Sequence, residues 1–356
     1  MRITPLKAGL ISVLLLSCLR VFAQAGEMGY NSQAKPDEVD TNYIQTFPDH
    51  ITGRVYLSQK YTNFEVVDDS NAVSMLYEPN TTLNLGVGVT IKSFTLNLAY
   101  GFDFLNPDEG QGKTRYLDLQ SHIYSRKMVI DFFGQFYKGL YLSNTKDLAP
   151  DYEDPFYVRP DIYEQVLGGS VQYIFNHKKY SYRSGLVQNE RQLKSAGSFL
   201  LGVDAYYGLM QGDSAIVPSF ARGQGFGEKK NADRFVFFRA GPNIGYAHTF
   251  VVAKKFFAML SLSVSVGFGA YTVHTPGEGI SQDRGVSASA FGRFALGYND
   301  EKWYLGLSVV DNSINTNSTP SDVYAAFGVG NVRFNYARRF IPGPKVKKLL
   351  EKLPLP

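Results

Sequence analysis

The polar residues that could do chemistry in this chain are spread along runs in which polar and apolar residues alternate. Successive side chains of a β-strand point to opposite faces, so these polar residues are expected to share one inner face. Charges on such a face either pair with one another, because an unpaired buried charge is costly, or line a channel or ligand pocket and set its selectivity. The candidates for this face are Asp118, His122, Asp131, Glu164, Arg183, Asp204, Arg239, Arg293 and Arg333.

A second group of polar residues is concentrated between Gln188 and Ser198. One interpretation is a solvated outer loop. The alternative is a folded-in loop that binds a polar or anionic group, because arginine is suited to bidentate capture of a carboxylate or phosphate. The candidate ligand-facing residues of this loop are Arg183, Glu190, Arg191 and Lys194.

Catalytic chemistry finds little support in the sequence. His122 and Asp118 share one face of a predicted strand, but their spacing of four residues corresponds to roughly 13 Å, too far for a hydrogen bond. No motif places a serine beside a histidine. Neither a histidine pair at metal-binding spacing nor a Gly-x-Gly-x-x-Gly motif occurs in the sequence. We therefore predict no enzyme activity, no metal and no cofactor.

Composition favours β structure with a lipid-facing surface. The 356 residues include 24 Tyr, 26 Phe and 34 Gly, and charged residues make up 19%. That charged fraction is below the roughly 25% that is usual in soluble proteins, and abundant aromatic residues and glycines are typical of membrane barrels. After residue 23 no apolar run approaches the ~20 residues of a spanning helix. A net charge of +4 with scattered basic residues does not indicate nucleic-acid binding.

The first 23 residues have the pattern of a cleaved secretory signal peptide. Arg2 and Lys7 form its charged region, an apolar core follows, and small residues precede a cleavage site after Ala23. Cys18, the single cysteine, lies in this segment. A lipoprotein-type site that leaves Cys18 as a lipid-bearing first residue is the alternative. Residues 24–48 are polar and are expected to form a periplasmic lead-in.

From residue 49 to residue 340 the chain repeats alternating runs separated by turns. The polar faces carry glycine, serine, asparagine and isolated charges, whereas a soluble sandwich typically presents lysine, glutamate and threonine to water. Only closed barrels allow strands to cross lipid with every backbone group paired. We therefore predict an all-β fold, a single up-and-down antiparallel transmembrane β-barrel over residues 49–340.

The predicted number of strands follows from parity. Thirteen runs are visible, among them 72–91 and 180–188, but a barrel with both ends in the periplasm needs an even number. Adding a strand at 215–220 makes fourteen, which we favour, and removing one run makes twelve. Short turns alternate with longer loops, so the short turns are expected in the periplasm.

The end of the last strand resembles the terminal signal read by the barrel-insertion machinery. Val332, Phe334, Tyr336 and Phe340 share one parity and end on an aromatic residue. Residues 341–356 continue past this signal and are expected to form a periplasmic tail.

Four stretches of the chain carry a family resemblance. They are Asp40–Ile44, Phe133–Gly139, Arg159–Asp161 and, above all, Tyr180–Arg183 through Glu190–Ser198. The chain resembles a family of Gram-negative bacteria of the Bacteroides group, catalogued as domain of unknown function 4421. The resemblance covers most of the mature chain. It implies an outer-membrane location and supplies no activity, so no catalytic residue is carried over.

Three functions remain open from the sequence. The favoured one is a pore, or a carrier or binding barrel, for a small or lipid-like solute. The second is a structural or assembly barrel of the cell envelope, and the third is an outer-membrane lipid-modifying enzyme. The expected location is the outer membrane of a Gram-negative bacterium. The expected partners are outer-membrane lipid, the insertion machinery and a small solute, with no nucleic acid. A lumen packed with Arg, Asp and Tyr would favour the structural role.

Overall fold

The protein is built almost entirely of antiparallel β-strands. The computed structural model describes residues 39–47, 50–91, 94–316 and 323–344. The predicted signal peptide, most of the predicted lead-in and the tail after residue 344 lie outside the described residues, as does the predicted turn at Lys92-Ser93. Within the described ranges, no helix has both the length and the apolar character needed to cross a membrane.

Fifteen strands follow one another along the described chain, with only short helical turns at Asp103–Leu105, Thr145–Leu148, Arg183–Leu186 and Gly227–Asn231. The strands are β1 (Ile44–Thr46), β2 (Ile51–Asp68), β3 (Val73–Glu78), β4 (Leu83–Ile91), β5 (Phe94–Tyr100), β6 (Arg115–Tyr124), β7 (Met128–Leu142), β8 (Tyr157–Ile174), β9 (Glu190–Gln192), β10 (Ala196–Gln211), β11 (Arg234–Val252), β12 (Phe256–Thr275), β13 (Gly279–Asn299), β14 (Trp303–Asn315) and β15 (Val323–Phe340).

Thirteen of these strands form one sheet, and ten of the thirteen close into a barrel. β15 pairs with β2 along its full length, from Val323 opposite Asp68 to Phe340 opposite Ile51. On the other side of β2, the ring is completed through β3, which meets β7 at only two residue pairs. β4, β5 and β6 lie outside this ring, with β4 on β2, β5 on β4 and β6 on β7.

No strand pairing joins β5 to β6 in the described structure. We call the interval between these two strands the lateral gap. Every side chain from Leu96 to Tyr100 is exposed, whichever face of β5 it lies on. The short β3–β7 pairing therefore closes the wall only locally, and the wall is interrupted between β5 and β6.

Elsewhere the wall has the apolar outer face and polar inner face that alternation predicts. On β12 the outward side chains from Leu260 to Phe268 are 45–62% exposed, whereas the serines between them are at most 3% exposed. The same alternation continues around the barrel and gives an exposed apolar belt. Soluble proteins rarely expose so large an apolar surface. The outward residues of this belt at the end of β15 are Val332, Phe334, Tyr336 and Phe340.

The two ends of the barrel differ. The first and last barrel strands begin and end at the same end as the tight turns at 125–127, 253–255 and 300–302, and we call it the short-turn end. The opposite, long-loop end carries the connections 143–156 and 212–233. There Phe64, Met75, Tyr77 and Phe235 pack inside the barrel against Ile216, Val217 and Phe226 of a connection that folds over the mouth.

The predicted strand count needs correction. Fourteen strands were expected, with twelve as the alternative, and the main sheet has thirteen. Residues 215–220 form no strand, because Ile216 and Val217 are fully buried in the apolar interior. The run 180–188 is also not a wall strand and contains the helical turn Arg183–Leu186. The run predicted at 72–91 is divided into β3 and β4.

Candidate functional site

A network of buried charges fills the middle of the barrel. Arg239 of β11 is completely buried and donates hydrogen bonds to Asp204 (3.1 Å), Ser289 (2.7 Å) and Ser265 (3.0 Å). Asp204 also accepts a hydrogen bond from Asn243 (3.0 Å). Both charges therefore have partners, as a low-dielectric interior requires.

A second part of this network connects opposite walls. Asp131 of β7 accepts a hydrogen bond from Arg293 of β13. It also forms a hydrogen bond of 2.7 Å with Nδ1 of His122. The register places His122 directly opposite Asp131 on the neighbouring strand. The sequence had suggested Asp118 as the acidic neighbour of His122. The real partner lies across a hairpin, which spacing along one strand cannot show.

Asp118 belongs to a separate group beside the lateral gap. Its carboxylate accepts hydrogen bonds from Tyr137 (2.6 Å), Gln135 (3.1 Å) and Lys60 (3.2 Å). Nearby, Glu164 accepts a hydrogen bond from Thr62 at 3.0 Å. A polar cavity of about 140 Å³ lies next to Thr62, where β3 ends, and is lined by Gln59, Tyr61, Thr62, Glu78, Pro79, Asn80, Thr81, Gln111 and Tyr141.

Residues 175–195, which connect β8 to β10, fold into the short-turn end, and we call them the plug segment. Tyr180 and Tyr182 are buried in it, and the hydroxyl of Tyr182 donates to Ser261 at 2.7 Å. Glu190 accepts hydrogen bonds from Arg126 and Ser181 and lies 3.5 Å from Arg183. The outer-loop interpretation is thus wrong, because this connection lies at the short-turn end and its residues 180–192 are buried or half-buried.

The predicted basic residues of this segment do not converge on one site. Arg191 donates to the carbonyl of Lys254 at 2.8 Å and to the Gln45 side chain at 3.3 Å. Lys194 is exposed, with its ammonium 5.4 Å from the Tyr43 ring. Because β9 of the plug segment pairs with β1, the end of the predicted lead-in is bound to the plug segment and is not a free linker.

Arginines that the sequence analysis passed over hold the short-turn end together. Arg339 donates to the carbonyl of Gln188 (Nε, 3.0 Å) and to the side chain of Asn299 (2.9 Å). Arg54 donates to the hydroxyl of Thr90. The parity of β2 could have identified Arg54, since it alternates with apolar residues there. The guanidinium of Arg333 lies 4.6 Å from the ring centre of Tyr56.

Three packed layers therefore follow one another along the axis: the apolar core at the long-loop end, the central charged network and the plug segment. This order leaves no wide axial passage through the described part of the barrel.

The described interior does not pair a serine with His122 as a hydrolase would need. The hydroxyl of Ser170 donates to Asp131 at 3.3 Å and is not directed at His122. In the described ranges, no three His, Cys, Asp or Glu side chains are grouped to hold a metal ion.

A closed antiparallel barrel with an exposed apolar belt and a polar interior defines a transmembrane β-barrel. The chain belongs to the family described as Domain of unknown function (DUF4421), whose profile matches residues 38–340. This confirms the family resemblance of the sequence.

Several solved structures are similar to this chain at very low identity. The outer membrane protease OmpT from Escherichia coli is 9% identical, with 83% of this chain and 98% of that chain covered and a TM-score of 0.33. The toluene transporter TodX of P. putida is 8% identical, with 83% and 92% covered and a TM-score of 0.24. An outer membrane channel from Pseudomonas putida F1 is 10% identical, with 85% and 100% covered and a TM-score of 0.25. Such values carry no argument about activity, and no curated protein matches the chain.

Proposed function

We propose that this protein is an outer-membrane carrier or binding barrel for a lipid-like solute, which enters through the side of the wall at the lateral gap. The observation that carries the proposal is that no pairing joins β5 to β6 in the part of the chain that the structure describes, at the depth of the apolar belt. The packed interior argues against entry along the axis, so a passive axial pore is not proposed.

The physical argument concerns the edges of the gap. Each unpaired backbone N–H or C=O group that faces hydrocarbon raises the free energy by roughly several kcal/mol. Where the lateral gap faces the bilayer, these groups must therefore be covered. The available occupant is the surrounding lipid or a molecule that resembles it. Leu96, Leu98 and Leu119 border the gap with exposed apolar side chains, while Asn97 offers a polar group on the inner face.

The topology also orients the proposed carrier. Short turns of outer-membrane barrels face the periplasm, so the plug segment would lie on the periplasmic side and the apolar core on the outer side. Export through a cleaved signal peptide brings the chain to this location. Insertion machinery would then recognise the aromatic end of β15.

A structural or assembly barrel is the second candidate. The central network favours it, because buried paired charges such as Arg239 and Asp204 fill the lumen. This role needs a closed wall, whereas the carrier needs an accessible gap. Lipid access to the inner face of β5 therefore separates the two functions.

The experiment measures quenching of a small fluorophore by brominated acyl chains. The fluorophore is attached to a single cysteine at Asn97, on the inner face of β5, in protein reconstituted into vesicles. Leu262 is the lipid-facing control, and Ser308 on the inner face of β14 is the shielded control. The predicted cleavage would leave the mature chain without a native cysteine, which keeps the labelling specific.

Lateral entry predicts that the label at Asn97 is quenched nearly as strongly as the label at Leu262. If quenching at Asn97 is as weak as at Ser308, the wall is closed and the structural role replaces the carrier. Stepwise ion conductance in planar bilayers would also contradict the proposal, because it requires an axial passage.

A further inference from the structure

Among the described residues, two arginines in the half of the lumen nearer the short-turn end, Arg54 on β2 and Arg333 on β15, have no acidic partner. The Arg54 side chain donates only to Thr90 among the described residues, and that arginine is 6% exposed. Arg333 makes no side-chain hydrogen bond or ion pair in the described structure and rests over the Tyr56 ring. The Nε atom of each arginine is buried without an acceptor there.

The strand register brings these groups together. Arg54 and Tyr56 occupy the same inner face of β2, and Asn335 of β15 lies directly opposite Tyr56. Asn335 is 1% exposed, and both polar atoms of its amide are buried without partners in the described residues. Arg333 is two residues from Asn335 on the same face. The unsatisfied Nε atoms of Arg54 and Arg333 and the unsatisfied amide of Asn335 thus share the inner face around Tyr56.

The carboxylates of the lumen are engaged elsewhere. Asp118 is bound by Lys60, Asp131 by Arg293, Asp204 by Arg239, and Glu190 by Arg126 and Arg183, while Glu164 accepts a hydrogen bond from Thr62. None of these described carboxylates forms an ion pair with Arg54 or Arg333, so the two arginines leave locally uncompensated positive charge at the level of the exposed apolar belt. Burying such an ion without an acidic partner is unfavourable, and a cation–π contact offsets only part of that cost.

The arginine pair (Arg54 and Arg333) lies close to the lateral gap. A Cβ atom at Gly88 of β4 would come within 2.9 Å of the Arg54 side chain and 2.1 Å of the Asn97 amide oxygen. Gly88 therefore leaves room for Arg54 to lie beside Asn97 of β5, whose other edge borders the gap. A headgroup that passes between β5 and β6 would meet this pair.

We propose that the arginine pair binds the anionic headgroup, a carboxylate or a phosphate, of a single-chain amphipathic lipid whose apolar chain extends through the lateral gap. Guanidinium groups match the geometry of both anions through paired N–H donors. Asn335 supplies a further amide. The route of entry rests on the proposed function, whereas the charge argument does not.

The test is a binding measurement on the full barrel in an uncharged detergent. The probes are dodecyl phosphate, dodecanoate, dodecanol, dodecyltrimethylammonium and inorganic phosphate. The variants are Arg54→Gln, Arg333→Gln and the double substitution. Arg338→Gln is the matched control, because Arg338 lies on the outer face of β15 and stacks on Trp303.

We expect each single substitution to weaken binding of the anionic amphiphiles at least tenfold, roughly the 1.4 kcal/mol or more that a charged hydrogen bond supplies. The double substitution should abolish it and Arg338→Gln should leave it unchanged. The preferred anion identifies the headgroup as carboxylate or phosphate. Equal binding of dodecanol or the cation, or full affinity in the double variant, would overturn the proposal. Inorganic phosphate binding as tightly as dodecyl phosphate would exclude a lipid ligand.

Urea unfolding of the double variant tests whether a loss of binding results from misfolding. Without ligand, the double variant should unfold at the same or a higher urea concentration, because it loses two charges that have no acidic partner in the described interior. A large loss of stability would show that the arginines have structural partners and would contradict the site. Quenching at Asn97 without anion binding rejects this inference alone, while anion binding without quenching rejects lateral entry alone.

Discussion

Arg293 of β13 donates a hydrogen bond to Asp131 of β7 across the inside of the barrel, although β12, β11, β10 and β8 separate the two strands along the wall. Both side chains are almost completely inaccessible to solvent, at 1% and 0% exposed. The pair joins opposite walls and closes the middle of the lumen.

Removing one member of this pair should destabilise the barrel strongly. Asp131→Leu leaves the guanidinium of Arg293 buried without its carboxylate, and we expect a loss of about 3–5 kcal/mol. The double variant Asp131→Leu/Arg293→Met should lose clearly less than the sum of the single losses. Urea unfolding followed by the fluorescence of Trp303, the single tryptophan, measures these changes. Glu228→Gln, at an exposed position, is the control and should change stability by less than about 0.5 kcal/mol. Additive losses would show that the pair is not coupled.

The plug segment should loosen when Glu190 loses its charge. Glu190→Gln deprives Arg126 and Arg183 of their carboxylate partner, and charged hydrogen bonds of this kind contribute about 1.5–3 kcal/mol. Cleavage of residues 175–195 by subtilisin from the short-turn end should become about tenfold faster or more, because local opening controls proteolysis. Lys194→Gln, at an exposed position of the same segment, should leave the rate unchanged. Equal rates in both variants would mean that the carboxylate of Glu190 does not help to hold the plug segment in place.

The turn between β11 and β12 carries backbone strain that substitution should relieve. Ala253 and Lys254 have φ values of +50° and +59°, a type I′ conformation that favours asparagine and glycine. Ala253→Asn/Lys254→Gly should therefore raise the free energy of unfolding by about 1 kcal/mol. Glu301→Gly, in a turn residue without a positive φ, should lower it instead. Urea unfolding of both variants checks the sign, and a loss of stability in the first would contradict the strain.

Asp300, in the turn between β13 and β14, should give the barrel part of its acid sensitivity. Burial opposes ionisation, but hydrogen bonds from Tyr298 and from the backbone N–H groups of Lys302 and Trp303 outweigh it and hold the pKa of Asp300 below its ordinary value. A lowered folded-state pKa contributes stability above the unfolded pKa of about 3.9, and this is lost as pH falls through the folded pKa.

Asp300→Asn should therefore be less stable than the natural protein at pH 7 by about 1 kcal/mol, and the difference should shrink towards pH 3. Unfolding curves at pH 7, 5 and 3 measure this difference. A constant difference across this range would show that the carboxylate contributes through shape and not through charge.

Periodicity could predict the class of fold because it is a local property. Ser261 and Leu262 alternate in sequence, and the same alternation places one inside and the other on the belt. The inward direction of Asp204, Arg239 and Arg293 follows from the same rule. The family resemblance also depended only on short stretches such as Tyr180–Arg183.

The strand count, the plug and the ion pairs were decided by tertiary structure. Tyr180 and Tyr182 look like strand residues, but they are buried inside the barrel and are not part of its wall. Asp131 meets both His122 and Arg293, and only closure of the sheet brings β7 and β13 face to face. That Arg54 and Arg333 meet no carboxylate among the described residues is likewise invisible in sequence, because an absent partner is a property of the three-dimensional surroundings. Local pattern determined which face each side chain takes, and long-range closure determined what it meets there.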